Sequence, residues 1–225
     1  DYGLMFDCKL VGIHANNTFE SYLSDSKCFD TKGVIANNGR IFEAEEVTTT
    51  ITDIDLRIIK KCYKIDKIAI SNCYKFYMQY LPKPILMSVL ELYQKKTTLK
   101  GVEGSEVEYL LSKGMLNSVY GMCVTDIVRC ENVYDGDWKK TPMDEATMQE
   151  QIDKYNKSKT RFLYYAWGVW VTAYARLNLW TGILNIADDY IYSDTDSIKF
   201  LNYEQHKDFI EWYNKRIEQK LKTMC

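Results

Sequence analysis

Hydrophobic and polar positions alternate loosely through "GLMFDCKLVGI" near the start of the chain, the period-two pattern of a half-buried strand. β-Branched residues crowd "EEVTTTIT". Between these stretches, "NNGRIF" places Asn38-Gly39 where a two-residue hairpin turn needs left-handed backbone. Residues 1 to about 52 therefore read as β. "TDIDLRIIKKCY" changes to helical spacing, with Thr52 or Asp53 as N-cap, and "KIAISNCYKFY" returns to strand. Pro82 and Pro84 then interrupt the chain, each disfavouring helix at the residue before it.

Beyond the prolines the apolar period becomes 3.6. "ILMSVLELYQKKTTLKG" ends in lysines and a glycine, as a helix C-terminus prefers. "SEVEYLLSKGMLNSVYG" opens with Ser105 and Glu108 at capping-box spacing. Val107, Leu110, Leu111, Met115 and Val119 mark one face of that helix, which is expected to close at Gly121. The "GVEGS" loop between the two predicts an antiparallel helix pair. "VTDIVRCENVYDGDW" reads as β with an Asp-Gly turn, and Thr141-Pro142 opens an amphipathic, exposed helix through about Lys157. A long buried helix is expected from about 160 to 188, then the hairpin "YIYSDTDSIKF", then an amphipathic helix from "YEQHKDFIEWYNKR" to the end. Strands and helices segregate in blocks without internal repeats, which is an α+β pattern.

The 225 residues can bury a sizeable core as one large domain or two small ones, and 46% hydrophobic with 27% charged residues is ordinary for a globular chain. A net charge of -2 gives no global sign of a nucleic-acid binder, although a net figure can hide a local basic face. The 18 tyrosines suit half-buried surfaces and contacts with sugars and bases. Seven cysteines (Cys8, Cys28, Cys62, Cys73, Cys123, Cys130, Cys225) form no C-x-x-C pair. With an odd count and no secretory h-region they read as reduced thiols of a cytoplasmic compartment. His14 and His206 stand apart from any cysteine cluster, which argues against zinc. The apolar stretch "FLYYAWGVWVTAYARLNLW" is broken by Arg176 and reads as a buried helix, so no membrane partner is expected. The start at Asp1-Tyr2-Gly3, without methionine, reads as that of an excised fragment.

Two constellations could carry chemistry. In the hairpin, strand alternation puts Tyr192, Asp194 and Asp196 on one side and Ser193, Thr195 and Ser197 on the other. Two like charges so close repel unless a counter-charge is present. A hard divalent cation such as magnesium would supply it, and a solvated turn is the plainer alternative. A calcium loop starting at Asp194 fails, because Lys199 and Gln205 occupy the positions that require glycine and glutamate. In "KGMLNSVYG", Lys113, Asn117 and Tyr120 fall at i, i+4 and i+7, so a cation, an amide and a phenol share one helical stripe suited to a nucleotide. A polar outer helix face is its alternative. From Lys83 to Lys100 four lysines face one acid, Glu91, so Lys96 or Lys100 could join Lys113 on one anion.

Together, K-x-x-x-N-S-x-Y-G followed about seventy residues later by Y-x-D-T-D-S resembles the family B DNA polymerases. In that family the first motif lies on the fingers helix and the second is the palm hairpin that holds catalytic metal. "VTAYARLNLWTGILNIADDYIYSDTDSIKF" looks like the palm helix running into that hairpin. "NNGRIFEAEEVTTTITDIDLRIIKKCYKIDKIAI" is similar to the insertion of the protein-primed, phage- and plasmid-type subgroup, which contacts terminal protein and DNA.

The resemblance implies a palm of antiparallel sheet with packed helices, two antiparallel fingers helices and a β-rich insertion. Residues 1–82 would be that insertion with a palm strand, 83–121 the fingers, 122–160 a second insertion, and 161–225 the palm. Asp194 and Asp196 would be catalytic metal ligands for Mg2+, with Asp196 the main one. Lys96 or Lys100, together with Lys113, would contact the triphosphate. Asn117 and Tyr120 would shape the nucleotide pocket, and Tyr192 would lie near the primer terminus. Partners would be DNA primer-template, deoxynucleoside triphosphates and a terminal protein, in the cytoplasm of a bacterial host or phage-infected cell, with an organellar plasmid as the alternative setting. The family's first palm motif, an Asp followed by Ser-Leu-Tyr-Pro, does not occur in this sequence and is expected just before residue 1. The chain alone is therefore expected not to extend a primer. A non-catalytic module binding DNA or terminal protein is the alternative, and an RNA-templated polymerase with a related palm fits the motif residues less well.

Overall fold

The computed structural model describes residues 2–130, 132–159 and 162–224. Asp1, Cys225 and the expected helix start at residue 160 lie outside them. The chain divides into two compact units, residues 2–78 with 170–224 and residues 79–169. The sequence reading placed limits at 82, 121 and 160. By compactness, the first and last stretches of the chain share one core.

In the first unit, the alternating start forms β1 (Tyr2–Ala15), which pairs antiparallel with β4 (Arg40–Thr52) on one side and β5 (Tyr63–Tyr77) on the other. Two short strands, β2 (Cys28–Lys32) and β3 (Ile35–Asn37), also pair with β4. The β3–β4 turn is the expected one, with Asn38 at φ 50° and Gly39 at φ 71°. Phe6, Cys8, Leu10 and Ile13 of β1 are buried in one core with Val47 of β4. The same core holds Ile58 and Ile59 of α1 (Asp53–Cys62). Thr52 caps α1 through a capping box: its hydroxyl accepts from the Asp55 amide at 3.2 Å while the Asp55 carboxylate accepts from the Thr52 amide at 3.0 Å. Gly3 is fixed by a close approach, since a Cβ there would lie 2.4 Å from the Trp170 indole.

Tyr63, first residue of β5, is a buried polar node. Its hydroxyl donates to the Ile41 carbonyl at 2.7 Å and accepts from the Leu23 amide at 3.0 Å, and Ser21 joins the same network. Burial pushes the Tyr63 phenol up to about 12, the Cys62 thiol up to about 12 and the Cys8 thiol up to about 11. All three values are raised, so their contribution to stability is present below the unfolded-state values and lost as pH rises toward the folded ones. Each group then removes about 1.4 kcal/mol per pH unit across its own window. The urea midpoint is therefore expected to fall steeply between pH 8.5 and 11, and a flat midpoint over that range would contradict this account of the core.

In the second unit, Pro82 and Pro84 open α2 (Lys83–Thr98), which pairs with α3 (Glu106–Cys123) as the short loop required. α3 runs two residues past Gly121. The Ser105 capping box does not form, because Ser105 sits at ψ 11° rather than in the extended region and its hydroxyl caps nothing. Val124–Cys130 is not strand either. Side chains take its amides, with Val128 bonded to the Asp126 carboxylate at 3.1 Å and Arg129 to the Gln151 amide oxygen at 3.0 Å. Among the described residues of this stretch, β6 (Asn132–Tyr134) and β7 (Trp138–Lys140) pair, around Gly136 at φ 71°. The helix expected from Thr141-Pro142 starts later, as α4 (Glu145–Lys157), because Asp144 supplies the cap by accepting from the Thr147 amide at 2.7 Å. The long apolar helix is α5 (Tyr165–Ile186), which begins in this unit and ends in the first.

Among the described residues no helix is long and apolar enough to cross a membrane.

Candidate active site

The residues that the motifs single out fall in both compact units, the hairpin in the first and the lysine-bearing helix in the second. In the first unit a short 3-10 turn (Ala187–Asp189) follows α5 and feeds the hairpin of β8 (Tyr190–Asp194) and β9 (Ser197–Phe200), after which α6 (Tyr203–Met224) runs to the end. β8 and β9 pair antiparallel, with Asp194 opposite Ser197. Thr195 and Asp196 are thus the two turn residues, and Thr195 takes φ 50°. Strand alternation stops at Asp194, so the expected one-sided row Tyr192, Asp194, Asp196 is not produced by a continuous strand. The turn instead folds back on itself: the Asp196 amide donates to the Asp194 carbonyl at 2.6 Å, and the Ser197 hydroxyl donates to the same oxygen at 3.1 Å.

Both carboxylates are exposed at this tip. The Thr195 hydroxyl donates to one oxygen of Asp194 at 2.9 Å. No lysine or arginine among the described residues lies within ion-pair distance of Asp194 or Asp196. Two neighbouring carboxylates without a protein cation are the donor set for a hard metal that takes one or two carboxylates and keeps its other positions for water and phosphate. The residues present fit magnesium in that respect. Among the described residues no group of three or more potential metal ligands assembles. Asp196 also borders a mostly apolar cavity of about 460 Å³ between α5, the hairpin and α6, with Gly182, Ile198, Phe200 and Phe209 in its wall. Tyr192 lies in mid-β8, half exposed and opposite Lys199.

The hairpin is anchored away from its tip. The Tyr190 hydroxyl bonds to Ser193 at 2.9 Å and to the Glu20 carboxylate at 3.3 Å, and its ring packs on Phe19. Ile198 lies over Gly182 of α5 so closely that a Cβ there would meet it at 2.4 Å.

In the second unit, Lys113, Asn117 and Tyr120 all lie exposed on α3, as their spacing required. No added Cβ would meet an atom within 4 Å at Gly114 or Gly121, so the space beside this stripe is open. Lys96 stands in the last turn of α2 with its ammonium 5.8 Å from the Tyr93 ring centroid, and Lys100 is in the connecting loop. Lys95 is already committed to Glu91 at 3.0 Å. Beside the polar stripe, Val107, Leu110, Leu111 and Met115 of α3 are also exposed.

Sequence reasoning missed the most tightly organised polar cluster of the first unit. The Arg176 guanidinium donates to both oxygens of the buried Asp55 carboxylate, at 2.9 and 3.1 Å, and to the Tyr22 hydroxyl at 3.0 Å; Tyr22 in turn donates to Asp55. Burial pushes the Asp55 carboxyl upward, but the Arg176 hydrogen bonds outweigh it and hold the group below the usual carboxylate range. The one available signal was an arginine in an apolar helix, which demands an acid. Nothing in the sequence said which acid.

No protein-family model and no curated protein matches the chain. Among solved structures, Phi29 DNA polymerase complexed with primer-template DNA, in a post-translocation binary complex, matches with a TM-score of 0.60 at 19% identity, over 89% of this chain and 31% of that one. The same polymerase with primer-template DNA and incoming nucleotide substrates gives 0.59 at 18% identity, over 89% and 32%. Its complex with single-stranded DNA gives 0.60 at 16% identity, over 89% and 31%. The chain thus spans about a third of the length of the polymerase structures it matches. Over 89% of its length it has the fold of a segment of Phi29 DNA polymerase, the α+β fold with antiparallel sheets that the two motifs led us to expect.

Proposed function

We propose that this chain is the fingers and part of the palm of a DNA-directed DNA polymerase that adds deoxynucleotides to a primer 3′-hydroxyl, in protein-primed replication. The observation that carries the proposal is the pair of exposed carboxylates, Asp194 and Asp196, held at the tip of an anchored hairpin with no protein cation beside them among the described residues. The match to a polymerase solved with primer-template DNA and incoming nucleotides supports the same reading.

Phosphoryl transfer needs in-line positioning and charge neutralisation more than covalent help. A bound magnesium would supply Lewis-acid activation of the 3′-hydroxyl and charge neutralisation at the leaving pyrophosphate. Asp194 and Asp196 would hold it, with Asp196 the main ligand as the resemblance implies. Lys113, with Lys96 or Lys100, would neutralise the β- and γ-phosphates. Asn117 and Tyr120 would contact sugar and base beside the open space at Gly114 and Gly121. Tyr192 would stand by the primer terminus. A terminal protein and DNA would contact the β-rich block.

Two carboxylates are too few to assemble a two-metal centre, so the 225 residues alone should not synthesise DNA. With primed template, four deoxynucleoside triphosphates and magnesium, a longer protein carrying this segment should extend the primer and the isolated chain should not. Templated extension by the isolated chain would show that Asp194 and Asp196 suffice and would overturn this part of the reading.

A further inference from the structure

We propose that Asp189 and His206 form a brace that fixes the position of the hairpin tip, and with it the Asp194 and Asp196 carboxylates. The inference rests on the reading of those two aspartates as metal ligands.

Asp189 is the residue immediately before β8, and Leu201 is the residue immediately after β9. The Leu201 amide donates to the Asp189 carbonyl at 2.8 Å, which closes the hairpin at its base. Both carboxylate oxygens of Asp189 are then used. One accepts from the Asn202 side-chain amide at 2.7 Å, and the other bonds to Nε2 of His206, on the first turns of α6, at 2.7 Å. The His206 ring also meets Phe200 edge-on at 5.7 Å, so it grips the end of β9 as well as the start of β8. Ala187, beside this knot, takes φ 52°, a left-handed backbone that alanine holds only where the surroundings fix it, and Asn202 takes φ 54°, which asparagine adopts readily. The hydrogen bonds from His206 and Asn202 also hold the Asp189 carboxyl below its usual range, as a committed acceptor would be.

A two-stranded hairpin is marginal by itself, and this ladder has an irregularity between Tyr190 and Tyr192. At about 3.3 Å per residue the tip stands about 13 Å from the base, so a 10° change at the base would move the carboxylates by about 2 Å. Metal and catalytic constellations tolerate displacements of about 0.5 Å. His206 touches neither carboxylate. It acts through Asp189, and its role is positioning.

The test uses the 15N-labelled 225-residue chain, with Mn2+ as probe and its paramagnetic broadening of tip amides as readout. His206→Ala should shift the amides of Asp194 to Ser197 and weaken Mn2+ at the tip by about 3- to 10-fold, less than the about 10- to 100-fold of a lost outer-shell partner because His206 acts on the tip only through the hairpin. His206→Gln keeps an N–H donor and should restore both signals, and Asp189→Asn should fall between. Tip amides that stay in place in His206→Ala while the melting temperature drops would overturn the brace, leaving His206 as a plain anchor of α6. Tip amides that move in His206→Ala, with no Mn2+ broadening in the unsubstituted chain, would uphold the brace and remove the metal reading instead.

Discussion

Replacing Arg176 by methionine is expected to destabilise the first compact unit by about 3 kcal/mol at pH 7, the lower part of the range for breaking a buried ion pair from one side. The Asp55 side chain is 5% exposed and would keep its charge with only Tyr22 and Thr52 as donors, while the Arg176 side chain is 37% exposed and so gives part of its charge to water. The loss is therefore mostly the stranded carboxylate. Its pH dependence is diagnostic. The Asp55 carboxyl lies below its unfolded value, so its contribution is fully present above about pH 4 and is lost as pH falls through the folded value. The gap in unfolding free energy between the two proteins should hence narrow below about pH 4. Urea titrations at pH 7 and pH 3.5 would measure it. A gap that stays constant would mean that Arg176 acts through its aliphatic packing alone. Asp55→Asn with Arg176→Met should be milder than the two single effects added, because the partners are in direct contact.

The β-rich start, the helix pair and the acidic hairpin were legible because local rules decide them. Asn38-Gly39 can hardly be anything but a tight turn, and the prolines at 82 and 84 leave α2 little choice of start. What escaped the sequence was decided by side chains competing for backbone groups. Asp144 outbid Thr141-Pro142 for the start of α4, and Asp126 with Gln151 took the amides that would have made Val124–Cys130 a strand. The clusters at Asp55–Arg176–Tyr22 and Asp189–Asn202–His206 join residues 13 to 154 positions apart, and no local period encodes such a pairing. For the candidate site the sequence named the residues but not their exact setting. Alternation predicted three side chains in a row, and the two-residue turn at Thr195-Asp196 breaks that row between the two aspartates.

That turn leads to the largest expected effect on activity. In a longer protein carrying this segment, Asp196→Asn should lower kcat for nucleotide addition at least about a thousand-fold, equivalent to about 4 kcal/mol of transition-state stabilisation of the kind a metal supplies. The amide keeps the size of the side chain and removes only its charge, and Asp196 is exposed, so stability should hardly change. Affinity for primer-template should stay within about twofold, because one exposed turn residue contributes little to phosphate contacts. Asp194→Asn should act in the same direction but less strongly, in keeping with the secondary ligand role that the resemblance implies. Lys113→Ala should differ in kind, raising KM for the nucleotide about 10- to 100-fold, as expected when a charge-assisted phosphate contact is lost. Single-turnover kinetics with a duplex primer would separate these outcomes. If Asp196→Asn leaves kcat intact, the tip carboxylates are idle and the chain is a binding module for DNA or a priming protein. If kcat collapses while DNA binding holds, the two carboxylates without a protein cation among the described residues have found their counter-charge in the catalytic metal.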